Sequence, residues 1–264
     1  MTEKEYRSHP AMSRSTLWKL KSLGTPEKFL YSQEHPEEPT PALIFGQAAH
    51  KLLLEPDGFD GAFIVNPGFD RRTKEGKAAF ADFCAAKGDR TELSPADFET
   101  IKAMAAKAKE TPFISRLLEG EREKPLFWTD EDTGLQLKAR LDVLTEIGGE
   151  LVIVDYKTAG DASGEKFAKD AVNYGYDLQV AFYTEAVKAT TGKAPRFIFI
   201  VQEKTAPYAL NIFEAEPMML QRGYDLMREL LGLYKECSET GNWYGYLGPD
   251  ANINMLTLPA WAYK

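Results

Sequence analysis

The chain has 264 residues, 44% of them hydrophobic and 27% charged, with a formal net charge of -8 at pH 7; this balance suits one large globular domain with a substantial core. No stretch approaches the roughly 18 uninterrupted apolar residues of a membrane span, Met1-Thr2-Glu3-Lys4-Glu5 lacks the plan of a signal peptide, and Cys84 and Cys237 are too few for a disulfide framework, an iron–sulfur cluster or a cysteine zinc site. A cytoplasmic protein with no membrane partner is expected, and the negative charge argues on its face against nucleic acid, although a polyanion responds to a local basic patch more than to the total.

Residues 13 to 33 read as helical, with Ser13 or Ser15 as cap and Leu17, Leu20 and Leu23 as a partial apolar stripe; Gly24 and Pro26 interrupt it before a second short helix with Phe29, Leu30 and Tyr31. His35 to Pro41 is a proline-rich loop within an acidic, solvated stretch. Ala42 to Leu54 is an unusually apolar helix, expected to be buried, that contains His50 and ends at Pro56-Asp57-Gly58. The basic cluster Arg71, Arg72, Lys74 and Lys77 is either a solvated helix entrance or a loop that contacts phosphates. Helical patterns follow at 75–87 and 95–118.

The period then changes to two. Residues 124–129, 137–146 and 150–157 read as strands, the last apolar on both faces and therefore central in a covered sheet. Tyr174 to Thr190 is a helix ending at Gly192, Arg196 to Gln202 a buried strand, Pro207 to Glu214 a further strand and Met218 to Glu236 a long helix. From Gly241 the chain is irregular, yet too aromatic for disorder, and is expected to pack on the body or on a neighbour. These elements predict an α/β (α+β) fold: a central mixed sheet flanked by helices, with an N-terminal helical region. One domain spans 1–264, with a mainly helical part at 1–120, a sheet core at 121–238 and an aromatic tail at 239–264.

Gly148-Gly149 is a two-residue hairpin signal. If Ile147 pairs with Glu150, Asp142 falls opposite Asp155 and Arg140 opposite Lys157, so that two carboxylates and two cations converge on one face. Facing carboxylates repel. Asp155 also ends a strand buried on both faces, where an unpaired charge is costly. Hard oxygen ligands beside a lysine suit Mg²⁺; the alternative is a set of cross-strand ion pairs. His50 on its own reads as a satisfied core histidine rather than a ligand, and Gln179 and Tyr183, four apart on one helical face, as packing residues with polar tips.

Taken in order, Gly46-Gln47-Ala48-Ala49-His50, Arg140-Leu141-Asp142, Asp155-Tyr156-Lys157-Thr158 and Gln179-Val180-Ala181-Phe182-Tyr183 resemble the motifs of PD-(D/E)XK nucleases, and within them the RecE-like recombination exonucleases of phages and prophages. The resemblance runs from about Ser13 to Tyr246. It implies a restriction-endonuclease-like core in which His50, Asp142, Asp155 and the main-chain carbonyl of Tyr156 hold the metal. Lys157 orients or deprotonates the attacking water, and Gln179 and Tyr183 stand beside the catalytic groups. Leu141 replaces the proline of the superfamily name, and Asp155 stands where many relatives carry glutamate.

The same resemblance implies a Mg²⁺-dependent (alternatively Mn²⁺-dependent) exodeoxyribonuclease that digests one strand of linear duplex DNA from the 5′ end for annealing-type recombination. A ring-shaped homo-oligomer, a tetramer in this branch, and a RecT-like single-strand annealing partner in a bacterial or phage-infected cell follow from it too. Arg71, Arg72, Lys74, Lys77 and Arg140 are the candidates for the duplex backbone. The rival readings are a structure-specific or restriction-type endonuclease of the same superfamily and a catalytically silent scaffold that binds DNA ends.

Overall fold

The computed structural model describes Met1, residues 3–251, Ile253 and residues 255–263. Its N-terminal region is a series of capped helices. After α1 (Glu3–Ser8) and the two-residue strand β1 (Met12–Ser13), Ser13 caps α2 (Arg14–Ser22) by accepting the N–H of Thr16. Thr25 and Thr40 do the same for α3 (Pro26–Glu34) and α4 (Pro41–Leu54), each with proline at the first helical position, where its missing N–H costs nothing. Gly24, at φ 82, makes the corner between α2 and α3.

A short α5 (Phe59–Ala62) leads into β2 (Phe63–Val65); α6 (Lys74–Lys87) and β3 (Thr91–Leu93) follow, and β2 and β3 form a parallel pair apart from the main sheet. The helix predicted over 95–118 is broken in two, α7 (Pro95–Glu110) and α8 (Pro112–Leu117), because Pro112 can neither donate to the ladder nor fit within a continuous helix.

The core is built from β4 (Glu121–Thr129), β5 (Gln136–Ile147), β6 (Glu150–Ala159), α9 (Gly164–Asn173), α10 (Tyr176–Thr191), β7 (Arg196–Glu203), β8 (Leu210–Glu214) and α11 (Pro217–Thr240). Helix α9 and the strands β1, β2 and β3 were not anticipated. The last strand starts at Leu210 rather than Pro207, since residues 205–208 turn through a cis Ala206-Pro207 bond. Among the described residues the main sheet has six strands, in the order β1-β5-β6-β7-β8 with β4 on the other edge of β5. β6 and β7 run parallel, as do β1 and β5; the remaining pairs are antiparallel. This is the mixed, helix-flanked sheet that the period change predicts.

Each face of the sheet carries its own core. Leu17, Leu20, Leu178, Phe182, Leu230 and Leu231, from α2, α10 and α11, cover one face; Ala49, Leu53, Ile101, Ala108, Ile114 and Leu117, from α4, α7 and α8, cover the other. β6 lies between them, with Val152, Ile153 and Val154 fully buried, each side chain contributing roughly 1.5–3 kcal/mol of transfer free energy.

The hairpin turn is as anticipated, with Gly148 at φ 63 and Gly149 at φ 86, the left-handed pair that a two-residue turn requires. Ile147 pairs with Glu150, and the register holds as far as Val143 with Val154. There the two strands part. One edge of β5 is occupied by β4, while the other is shared: β6 takes residues 143–147 and β1 takes Leu137 and Lys138. Residues 139–142 of that edge face the fork between β1 and β6.

The beginning of the aromatic tail packs on α3. Trp243 stacks on Phe29 with ring centroids 5.7 Å apart, and the Tyr244 carbonyl accepts the N–H of Glu27. Farther out, Met255, Leu256, Trp261 and Tyr263 are exposed.

Candidate active site and metal centre

Because the strands part at Asp142, this residue does not pair with Asp155 as the hairpin arithmetic required. Its carboxylate reaches across the fork instead, and Oδ2 accepts the backbone N–H of Tyr156 at 2.8 Å. Arg140 likewise fails to meet Lys157; it stands opposite Pro125 and pairs with Glu123, Nε to Oε2, at 2.7 Å. A side chain thus substitutes for the lost ladder bond and brings the Asp142 carboxylate to the backbone beside Asp155.

Asp155 lies on β6 and is 1% exposed. Its Oδ1 accepts the Nε2–H of Gln179, on α10, at 2.5 Å. Its Oδ2 lies 2.5 Å from the Lys157 ammonium, yet no donor among the described residues is aimed at it in hydrogen-bond geometry. Burial raises the pKa of this carboxyl; Lys157 opposes that shift and Asp142 adds to it. The Lys157 ammonium also lies over the ring of Tyr176, 4.9 Å from the centroid.

His50 reaches the fork from the opposite face of the sheet. It sits on α4, with Nδ1 3.3 Å from Asp142 Oδ2, and its ring meets that of Tyr156 edge-on at 5.2 Å. Tyr156 is anchored by its hydroxyl, which donates to Gln202 Oε1 at 2.7 Å. Tyr183, one turn after Gln179 on α10, lines the same cleft; burial raises its phenol pKa, so the proton stays on.

One participant was missed. Glu123 lies on β4, bracketed against Asp142 by the pairs Arg122–Val143 and Lys124–Leu141. A ligand atom of Glu123 comes within 4.8 Å of those of His50 and Asp142. Its backbone is left-handed, φ 48, a conformation that costs a side-chain-bearing residue about 1–2 kcal/mol. Burial, reinforced by Asp142, pushes its pKa up to about 8 despite the Arg140 partner. The six residues between Thr129 and Gln136 leave the β4 register undetermined from sequence, so nothing in the chain pointed to this glutamate.

The donor set fits a hard divalent cation. Among the described residues the ligand atoms that lie within 4.8 Å of one another are those of His50, Glu123 and Asp142, two carboxylates and an imidazole; Asp155 is outside this group, its Oδ1 held by Gln179 and its Oδ2 by the Lys157 ammonium. These groups lie in a cleft of about 1550 Å³, whose cations include Arg14, Lys19, Lys51, Lys138, Arg140 and Lys157. Arg71, Arg72, Lys74 and Lys77 do not line it: Arg72 is paired with Asp70, Arg71 lies over the Phe80 ring at 4.7 Å, and the lysines begin α6 on the exterior.

The comparisons with known proteins bear on the fold. A protein from Eubacterium rectale described as "Putative exonuclease" has a similar structure, with a TM-score of 0.63 at 15% identity, over 100% of this chain and 97% of that one. SSO0001 aligns with a TM-score of 0.39 at 13% identity, over 87% and 81% of the two chains. No curated protein matches the chain. Residues 13–250 match the family described as "PDDEXK-like domain of unknown function (DUF3799)". That match takes in all three carboxylate-bearing strands and the α4 and α10 helices beside them, and the chain belongs to this PDDEXK-like family.

Proposed function

We propose that the protein is a metal-dependent nuclease that hydrolyses phosphodiester bonds in DNA, acting as an exonuclease on one strand of linear duplex. The observation that carries this reading is the fork: Asp142 is gathered there with His50 and Glu123, and the adjoining Tyr156 N–H that it accepts lies between Asp155 and Lys157, which are ion-paired on β6. Asp142 and Asp155, with His50 and Glu123 beside them, would hold a divalent cation, Mg²⁺ or Mn²⁺, which when bound supplies Lewis-acid polarisation of the phosphodiester and acidifies a water.

The protein's own groups do the positioning. The Tyr156 N–H and the Gln179 amide fix the orientation of the two carboxylates, so little reorganisation is needed when substrate arrives. Lys157 Nζ holds the attacking water and places a positive charge beside the attacked phosphate. Tyr183 retains its hydroxyl proton and can donate it in a hydrogen bond to a phosphate oxygen. Arg140 steadies Glu123 and is a phosphate contact only where its pairing with Glu123 leaves a donor free.

Digestion from the 5′ end, a tetrameric ring and a RecT-like annealing partner extend the proposal and rest on the motif resemblance. The test uses linear duplex labelled separately at the 5′ and 3′ termini, beside a covalently closed circle, with Mg²⁺ or with chelator. Early release of the 5′ label with the circle intact supports the exonuclease; cleavage of the circle supports an endonuclease. No cleavage of any substrate with Mg²⁺, or with Mn²⁺ in its place, defeats the proposal.

A further inference from the structure

Arg14, the first residue of α2, opens onto the same cleft. One guanidinium nitrogen, NH2, is committed: it donates to the carbonyls of Tyr174, at 2.5 Å, and Gly175, at 2.7 Å, in the turn before α10. Trp18, one turn along α2, lies 5.9 Å from the guanidinium carbon and fixes it from the other side. The turn is built for this contact. Gly175 has φ 63, and a Cβ there would fall 2.2 Å from the Trp18 ring, so only glycine lets the indole close over it.

The rest of the guanidinium is not used. Nε is buried without a hydrogen-bond partner, and among the described residues no carboxylate comes within ion-pair distance of Arg14. The two acids whose charge it feels are engaged elsewhere, Asp155 with Lys157 and Gln179, and Asp177 with Arg222. A half-buried cation whose Nε is shut from water and has no counter-ion is costly unless an anion arrives. The neighbouring side chain in the same turn, Tyr176, carries Lys157 over its ring, so one turn braces both cations.

Resting on the nuclease reading, we propose that Arg14 holds a phosphate of the bound strand next to the one attacked, its pinned NH2 orienting the remaining N–H groups toward the phosphate oxygens. Arginine suits the task because its donors are in a rigid fork that matches phosphate geometry.

The test measures binding of a short labelled duplex in chelator over a series of KCl concentrations, for the wild type, Arg14→Gln and Arg14→Lys, with Mg²⁺ affinity measured by calorimetry. Arg14→Gln is expected to weaken DNA binding about tenfold and to reduce the slope of log K against log salt by about one. Arg14→Lys should restore the slope, and Mg²⁺ affinity should not change in either variant. Wild-type affinity and slope in Arg14→Gln overturn the assignment, as does a loss matched by an equal loss of Mg²⁺ affinity, which would mark a structural role. If the wild type itself binds no duplex at low salt, the nuclease reading falls and this inference with it.

Discussion

At the residue scale the site is held in a repulsive arrangement. Asp155 is buried with its carboxyl destabilised by desolvation, and Asp142 adds to the strain. Asp155→Asn should therefore remove Mg²⁺ binding and cut cleavage by at least about 10²–10⁴, while the metal-free protein melts no lower than the wild type, since function and stability conflict there. Calorimetry and thermal melting check the two halves separately.

Glu123 supplies a pH dependence with a definite sign. Its pKa is about 8 in the folded protein and 4.5 as an isolated group. Between those values the folded state keeps a proton that the unfolded state releases, so stability is fully present below about pH 4.5 and declines as pH rises toward 8. The Tm of metal-free protein should fall across that window. Glu123→Gln should flatten the fall, and saturating Mg²⁺ should offset it in the wild type but not in the variant. A wild-type Tm that rises with pH over this range would contradict the assignment.

Asp142, Asp155 and Lys157 stand out in the sequence because two apolar faces make Asp155 conspicuous, although the register from the Gly-Gly turn stops at Val143 and Val154 and does not pair Asp142 with Asp155. Glu123 does not, because its role depends on an unmarked register and on a left-handed backbone that no residue type announced. Arg14 was hidden for a similar reason: its partners are carbonyls about 160 residues away.

At the element scale, the parting of β5 and β6 makes the site. Leu137, Ala139 and Leu141 belong to the core under α10, while Val143 belongs to the core under α4. Alternate positions of a regular strand share a face, so β5 changes its facing at Asp142, opposite the left-handed Glu123. The hairpin arithmetic is correct near the turn and fails only where this change begins. Strand β1 is too short to carry a period-two signal, and α9 was missed between stronger neighbours.

A close helix crossing offers an independent check on the fold. Gly223, on α11, packs so tightly against α10 that a Cβ would lie 1.9 Å from the Asp177 carbonyl oxygen. Backbone cannot move aside as a side chain can. Gly223→Ala should cost about 1–3 kcal/mol, lowering Tm by about 2–4 °C for each kcal/mol. An unchanged Tm would mean that α10 and α11 are farther apart than this.

At the scale of the whole molecule, a net charge of -8 does not decide the partner. Arg14, Lys19, Lys138 and Lys157 line the cleft together with its carboxylates, whereas the most conspicuous basic run, Arg71 to Lys77, lies outside it. The cleft's cations are scattered in sequence and meet only through the fold, so charge density along the chain does not reveal them. No helix among the described residues is long and apolar enough to cross a membrane. Leu256, Trp261 and Tyr263 of the tail are exposed, and sedimentation of the full chain beside a chain ending at Tyr246 tests whether they support an oligomer.

The central claim is that Asp142, Asp155 and Lys157 form a metal-dependent phosphodiesterase centre. The most direct measurement is nucleotide release from linear duplex DNA by the wild type and by Lys157→Ala, each with Mg²⁺ and with chelator. Release should occur only for the wild type with the metal, while Lys157→Ala keeps the wild-type Tm; equal release by Lys157→Ala, or release undiminished in chelator, would contradict it.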